Sequence, residues 1–453
     1  MEPYRLHVYV CDQRKPEGAP CCSARGSVRV IEALRREVAA AGLGDEIQVT
    51  TCGSFGLCER GPNMVVYPEG VWYSGVTVED VPAIVQEHFK GGQPVERLQN
   101  RDPEALRDEI AGNKKKRLAA LAASDAAGAL PDELQQMVRG FQPSRVLLTA
   151  IELDVFTAVG AGARQDEVAE KLGADPHATA MLLDALVALE VLRKRDGAYS
   201  NTPLSERYLM AGARDDARAA LQHTAHLWPR WSTLSDCVRK GTSVSYREMA
   251  ERGDEWTTAF IAAMHRNALA RAPLVVRAVG LEGVSRMLDV GGGSGAYAIA
   301  FARASRELQV EVFDLDTVLP IAQGHIQEAG LSDRITTRSG DLRSDDLGRG
   351  FDLVLLSAIC HMLGPAANQD LLRRCFAALA PGGRVLVQDF ILEPDRTAPR
   401  SAALFALNML VGTPEGSTYT SNEYCSWLGQ AGFVEARHIR LPGPTGLVLG
   451  RRP

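Results

Sequence analysis

The sequence predicts an α/β chain of about three folding units, the last of them a doubly wound parallel sheet. Three observations carry this expectation. The chain has 453 residues, and roughly 150 residues per domain gives three units. From Arg286 onward, short apolar runs alternate with helical segments, the pattern of a parallel sheet with its ligand at the carboxyl ends of the strands. One of those runs opens directly into a loop of four glycines. With 45% hydrophobic and 23% charged residues, the chain has enough apolar material for a sizeable core.

In chain order, Tyr4 to Cys11 reads as a strand, Ser27 to Ala41 as a helix from its Val28, Ile31, Leu34, Val38 spacing, and Ile47 to Thr51 as a strand. Met64 to Tyr67 and Val71 to Val76, joined by Pro-Glu-Gly, form a hairpin, and Val78 to Phe89 closes the unit as an amphipathic helix. The segment from Gly91 to Pro131 is a charged and then Ala-rich helical linker. Its run Lys114-Lys115-Lys116-Arg117 is a solvated helix face. Residues 133 to 271 are helical throughout. Gln165 to Leu172 and Pro176 to Leu192, followed by the wing-like Lys194 to Ser200, resemble a winged helix. No Lys or Arg run marks a recognition face, so this unit serves dimerisation or covers substrate. The last part has strands at Arg286 to Val290, Val310 to Phe313, Ile335 to Arg338, Leu353 to Leu356 and Arg384 to Val387. The domains are therefore expected at 1–95, 96–131 (the linker), 132–271 and 272–453.

A net charge of −6, from 50 Lys and Arg against 56 Asp and Glu, argues against nucleic acid as a partner. The N-terminus has no basic region followed by an apolar core, and no run of about 18 apolar residues is present, so neither export nor membrane insertion is expected. The expected location is cytoplasmic. Thiols there stay reduced, and clustered cysteines point to metal or redox chemistry. Of the nine cysteines, Cys11, Cys21, Cys22, Cys52 and Cys58 crowd the first 58 residues.

In Met287-Leu288-Asp289-Val290-Gly291-Gly292-Gly293-Ser294-Gly295 an apolar strand precedes glycines that let a ligand approach the backbone closely. Asp314 ends the next strand about 20 residues on, where a carboxylate can accept both ribose hydroxyls. Gly340-Asp341 puts a further polar group at the same rim. No G-x-x-x-x-G-K-[ST] is present, so a nucleoside triphosphate is not the natural ligand. Together with Phe313-Asp314-Leu315 and Ala380-Pro381-Gly382-Gly383, these motifs resemble class I S-adenosylmethionine-dependent methyltransferases, in particular the small-molecule O-methyltransferases of the plant and polyketide type. The resemblance runs from about Glu133 to Pro453. It implies a winged-helix-like dimerisation domain, a Rossmann-like catalytic domain and a homodimer. It also implies a cofactor site of Asp289, Gly291, Gly293, Gly295, Asp314 and Asp341, with the glycines against the methionine part, Asp314 on the ribose and Asp341 beside the adenine.

Methyl transfer from a sulfonium is an in-line displacement, so most of the rate comes from position. A phenolic acceptor also has to lose a proton, and a base contributes on the order of 10² to 10⁴. His361, at the end of Leu355-Leu356-Ser357-Ala358-Ile359-Cys360-His361, matches the family's catalytic histidine, and Asp389 the carboxylate that orients it. Two positions depart from the pattern: Met362-Leu363 replaces the usual Asp-Trp, and Thr418 and Tyr419 stand near a second family glutamate. Phe260, Met264, His265, Asn267, Phe405, Asn408, Met409, Trp228 and Trp231 are either core or acceptor pocket.

Cys11, Cys22, Cys52 and Cys58 give C-x10-C-x29-C-x5-C, two pairs at the ends of strands. Close C-x2-C pairs and a nearby histidine, the marks of zinc, are absent, and four thiolates on loops suit an iron–sulfur cluster. Cys22-Ser23-Ala24-Arg25-Gly26-Ser27, Gly56-Leu57-Cys58-Glu59-Arg60-Gly61-Pro62 and Val65-Val66-Tyr67-Pro68-Glu69-Gly70-Val71-Trp72-Tyr73 resemble the thioredoxin-like [2Fe-2S] ferredoxins over residues 1 to about 95. That likeness implies a [2Fe-2S] cluster on Cys11, Cys22, Cys52 and Cys58. Ser54 stands where the family's third cysteine aligns, and Cys21 is an alternative ligand. Three functions stay open: methylation of a hydroxyl on a small aromatic or conjugated molecule, the cluster serving redox sensing, docking or electron supply from a redox partner protein; oxidative or decarboxylative chemistry fed by the cluster; and a redox-sensing binding protein.

Overall fold

The computed structural model describes residues 3–15, 19–126, 128, 130–247 and 253–453, and the chain divides into two compact units, Met1–Gly140 and Phe141–Pro453.

In the first unit, strands β1 (Leu6–Cys11), β2 (Ile47–Cys52), β3 (Asn63–Tyr67) and β4 (Val71–Ser74) form one sheet in the order β2-β1-β3-β4. β1 and β2 are parallel, bridged in the chain by the helix Ser27–Ala40, while β3 lies antiparallel to both β1 and β4. Side chains alternate across a strand, so Leu6, Val8 and Val10 enter the core with Leu34, Met64, Tyr73 and Phe89, and His7 and Tyr9 lie half-buried on the other face. The segment expected as one amphipathic helix from Val78 is instead a 3-10 turn Val78–Asp80, a short α turn Val81–Ala83 and a π-helical stretch Ile84–Lys90. Pro82 near its start lacks the N–H that a regular ladder needs. The linker forms a helix, Pro103–Ala126, on which Lys114 to Arg117 are exposed.

The second unit begins with helices around a small wing, β5 (Ala163–Arg164), β6 (Leu192–Arg195) and β7 (Ala198–Asn201), paired in the order β5-β7-β6. The helix Asp254–Val279 leads into the large sheet. That sheet comprises β8 (Arg286–Val290), β9 (Gln309–Asp314), β10 (Ile335–Ser339), β11 (Phe351–Ser357) and β12 (Leu379–Asp389). Two two-residue strands, β13 (Ile391–Leu392) and β14 (Tyr419–Thr420), pair with each other, and β15 (Val434–Ile439) and β16 (Gly446–Arg451) complete the large sheet. The order is β10-β9-β8-β11-β12-β16-β15.

The five expected strands are parallel, but the sheet is mixed: β16 runs antiparallel to β12 and β15 antiparallel to β16. The C-terminal hairpin escapes sequence reading because Val434-Glu435-Ala436-Arg437-His438 carries little apolar signal. Central strands covered on both faces read as unbroken apolar runs. Leu353, Val354, Leu355 and Leu356 are each fully buried, Leu353 and Leu355 in the cluster on one face and Val354 and Leu356 in that on the other.

Because β8 has β9 on one side and β11 on the other, the chain reverses direction across the sheet between β8 and β11. Ligands bind at such a switch point, beyond the strand carboxyl ends.

Candidate active site

The residues expected at the cofactor and base positions lie at that rim, except Asp289, which is within β8. β8 ends at Val290 and turns through Gly291, Gly293 and Gly295, each with positive φ (66°, 57° and 74°) that suits glycine and strains other residues. Gly295 precedes the helix Ala296–Ala304, whose first N–H groups face the loop. A Cβ on Gly291 would run into Ile359, so that position of the cradle has no room for a side chain, whereas one on Gly293 would meet open space.

Asp314, last residue of β9, accepts hydrogen bonds from Gly293 N (2.8 Å) and Leu315 N (2.7 Å), tying the second strand to the glycine turn, and burial raises its pKa. Asp289 is fully buried inside β8, and neither carboxyl oxygen has a protein partner. Burial first and the Asp314 charge second push its pKa up to about 7. Asp341, just after β10, is bound by Arg343 Nη2 at 2.8 Å, which lowers its pKa. The cradle, the orphaned Asp289 carboxyl and the two rim carboxylates fit a polar nucleoside cofactor.

At the neighbouring strand ends His361 is buried and its Nδ1 lies 2.6 Å from Asp389 Oδ1. The His361 backbone N–H donates to Asp389 Oδ2 (3.1 Å), the Tyr424 hydroxyl to the same oxygen (3.3 Å) and the Phe390 N–H to Oδ1 (2.8 Å). The carboxylate is therefore fixed, Nδ1 is engaged, and Nε2 is the ring nitrogen left to meet a substrate. Ala358, three residues ahead, has φ of 57°, a strained conformation of the kind found where structure aims a functional side chain.

The Phe405 ring meets the His361 ring edge-on at 4.8 Å and stacks on Phe390 at 3.9 Å. The other expected pocket residues scatter. Asn408 accepts from Trp231 Nε1 (3.0 Å), and Trp228 lies under Arg145. Phe260 stacks on Trp256, and Met409 is buried. His265 Nδ1 reaches Ser294 Oγ (2.8 Å), and Met264 and Asn267 line a separate cavity of about 240 Å³ beside Leu221 and Thr224. Thr418 and Tyr419 bond backbone carbonyls, of Ala402 and Leu363 respectively. Sequence reading missed Tyr424 and the Ser357–Gln388–Tyr297 network below the rim, because their signal is contact across 31 to 91 residues rather than local spacing.

In the first unit, Cys11 and Cys22 are both buried. Asn63 Nδ2 donates to Cys22 Sγ (3.4 Å), and Cys58 Sγ lies 3.3 Å from Ser54 Oγ. Cys52 pairs in register with Cys11, and its thiol is pushed up to about 11, by burial first and then by Asp12. Cys21 Sγ accepts from Ala24 N (3.4 Å). Among the described residues, no three Cys, His, Asp or Glu side chains converge on a point where a single metal ion could sit.

A glycine cradle at the switch point of a doubly wound sheet, with a buried His–Asp pair on the adjoining strands, defines a cofactor-dependent group-transfer enzyme of the Rossmann-like class. A profile of the O-methyltransferase domain matches residues 231–434, and one of the O-methyltransferase dimerisation domain matches 135–211. The chain is 36% identical to a 3-hydroxy-5-methyl-1-naphthoate 3-O-methyltransferase of Streptomyces sahachiroi, over 71% of this chain and 95% of that protein. It is 32% identical to the tetracenomycin polyketide synthesis 8-O-methyl transferase of Streptomyces glaucescens, over 71% and 97%. Human N-acetylserotonin methyltransferase, solved in complex with its S-adenosylmethionine cofactor, superposes with a TM-score of 0.63 at 28% identity, over 70% of this chain and 96% of that one. The chain belongs to the O-methyltransferase family and is an S-adenosylmethionine-dependent O-methyltransferase. Its dimerisation domain supports a homodimer. No helix among the described residues is long and apolar enough to cross a membrane.

The buried Asp289 makes a pH prediction. An unfolded aspartate ionises near pH 4, whereas the folded one holds its proton to about 7. Between these values the folded state binds more protons, so stability falls as pH rises, by up to ~1.4 kcal/mol per unit, and levels off above the folded pKa. Asp289→Asn cannot ionise and loses this dependence. Without cofactor, its Tm relative to wild type should be higher at about pH 8 than at about pH 5. An offset that is the same at both pH values would refute the assignment.

Proposed function

We propose that this enzyme methylates a phenolic hydroxyl on a small aromatic molecule of polyketide type, with His361 as general base and Asp389 as its positioning residue. The observation that carries this is the 2.6 Å His361–Asp389 contact at the strand rim next to the glycine cradle. The named substrates of the Streptomyces relatives and the stacked Phe390–Phe405 wall beside the base support an aromatic acceptor. Bound S-adenosylmethionine supplies an electrophilic methyl on its sulfonium. The glycine turn and Asp314 would hold the methionine part and the ribose, Asp341 would lie beside the adenine, and the buried Asp289 would sit beneath them. His361 Nε2 would take the acceptor proton, and Asp389 Oδ1 would hold the imidazole in the tautomer that leaves Nε2 free to accept it.

Labelled S-adenosylmethionine offered with a panel of hydroxynaphthoates and related phenols tests this reading: a product heavier by one methylene supports it, and an added oxygen or lost carboxyl refutes it. Phe405→Ala is expected to raise KM for the aromatic acceptor about tenfold, the worth of one aromatic contact, with cofactor Kd unchanged. An unaltered KM would remove Phe405 from the acceptor site.

The first unit, in this reading, binds a [2Fe-2S] cluster and serves redox sensing, docking or exchange of electrons with a redox partner protein. The parallel β1–β2 pair joined by a helix supports it, as does the bare Gly61, where a Cβ would lie 2.7 Å from Cys22 Sγ. Iron and sulfide in anaerobically purified protein test this part.

A further inference from the structure

We propose that His265 is a positioning residue of the cofactor site, holding the glycine turn through the Ser294 hydroxyl; this rests on the reading above that the turn takes the methionine part of S-adenosylmethionine. Ser294 stands between Gly293 and Gly295, whose positive φ angles (57° and 74°) shape the turn. It is buried, and its Oγ lies 2.8 Å from His265 Nδ1. A buried hydroxyl that loses its partner costs free energy, so this contact restricts where residue 294 can sit. In sequence His265 reads as core or acceptor pocket, but its ring nitrogen meets the cofactor turn.

Successive residues of the turn are held from different elements. Asp314, at the end of β9, accepts from Gly293 N at 2.8 Å. His265, on the helix Asp254–Val279, reaches the next residue, Ser294. The helix Leu319–Glu328 lies over the one after that, since a Cβ on Gly295 would come within 3.6 Å of Ile326. That same helix presents His325, whose ring stacks on the His265 ring with centroids 4.2 Å apart and planes inclined by only 10°. A ring packed on its face has little freedom to turn, so Nδ1 stays directed at Ser294. Two ties on adjacent residues, one to the backbone and one to a side chain, fix the turn before cofactor arrives, which lowers the ordering cost of binding. Burial first and His325 second lower the His265 pKa, with Glu328 opposing them. The imidazole is therefore neutral at pH 7, which suits a site for a cofactor that itself carries a positive sulfonium.

Isothermal titration of the full chain with S-adenosylmethionine, together with initial rates at saturating acceptor, tests the proposal. His265→Ala is expected to raise the cofactor Kd about tenfold, the worth of one buried hydrogen bond, with the loss falling on the cofactor KM rather than on kcat. Ser294→Ala should do the same, and the double variant should bind no more weakly than either single one, because both remove one shared contact. His265→Asn, whose amide can take the place of Nδ1, should recover most of the affinity, whereas His265→Gln, whose amide reaches toward the place of Nε2, should not. A ring that only fills space would not separate these two variants, and this arm stands even if His265→Ala folds poorly. Effects that add in the double variant, or equal affinities for the Asn and Gln variants, overturn the assignment. So does a His265→Ala Kd close to that of wild type while Asp314→Ala binds weakly. Wild-type affinity in both His265→Ala and Asp314→Ala overturns instead the cofactor-site reading on which the proposal rests.

Discussion

His361→Ala is expected to slow methyl transfer by 10² to 10⁴, the usual worth of a positioned base, while S-adenosylmethionine still binds. A phenol with a pKa of about 10 is almost wholly protonated at neutral pH, and in the proposed function His361, whose Nδ1 lies 2.6 Å from Asp389, accepts that proton. The deficit should narrow as pH approaches the acceptor's own pKa, because the substrate then arrives ionised. Removing the imidazole also leaves the buried Asp389 carboxylate without one partner, so His361→Gln, with retained circular dichroism, is the companion variant. Initial rates from about pH 7 to about pH 10 decide the matter. A rate unchanged at neutral pH removes the base, and a deficit constant across the range shows that His361 positions the acceptor instead.

Asp314→Ala is expected to raise the cofactor Kd by about 10². Charge-assisted hydrogen bonds contribute about 1.5 kcal/mol or more each, and losing two to a ribose amounts to roughly two decades. The same carboxylate already ties Gly293 N and Leu315 N, so the variant also loosens the glycine turn. Asp314→Asn keeps an acceptor for one of those bonds and should fall between the two. Isothermal titration with S-adenosylmethionine reads both. A Kd within threefold of wild type for Asp314→Ala would place the ribose elsewhere.

How far the sequence reached differs from motif to motif. The strand–glycine–helix turn was legible because its parts adjoin in the chain: apolar residues up to Val290, glycines where φ turns positive, and a helix at Ala296. The central strands β8 and β11 were legible too, since burial on both faces writes itself as a continuous apolar run. The antiparallel hairpin of β15 and β16 was not, because its edge strand Val434–Ile439 carries polar groups. The His361–Asp389 pair, 28 residues apart, was legible only through family resemblance. Tyr424, which reaches the same carboxylate from 35 residues away, left no trace in local spacing.

The sequence by itself therefore determined the local units: which runs become strands, where the glycine turn opens, and that cysteines crowd one end of the chain. Tertiary structure decided which of these groups meet. Strand order brought Asp314, His361 and Asp389 to one rim. The register of β2 on β1 set Cys52 in a ladder and left Ser54, two residues on, beside Cys58. The physical reason is that periodicity and turn chemistry act over a few residues, whereas the pairing of strands and the direction of a side chain at a strand's end are fixed by groups far away in the chain.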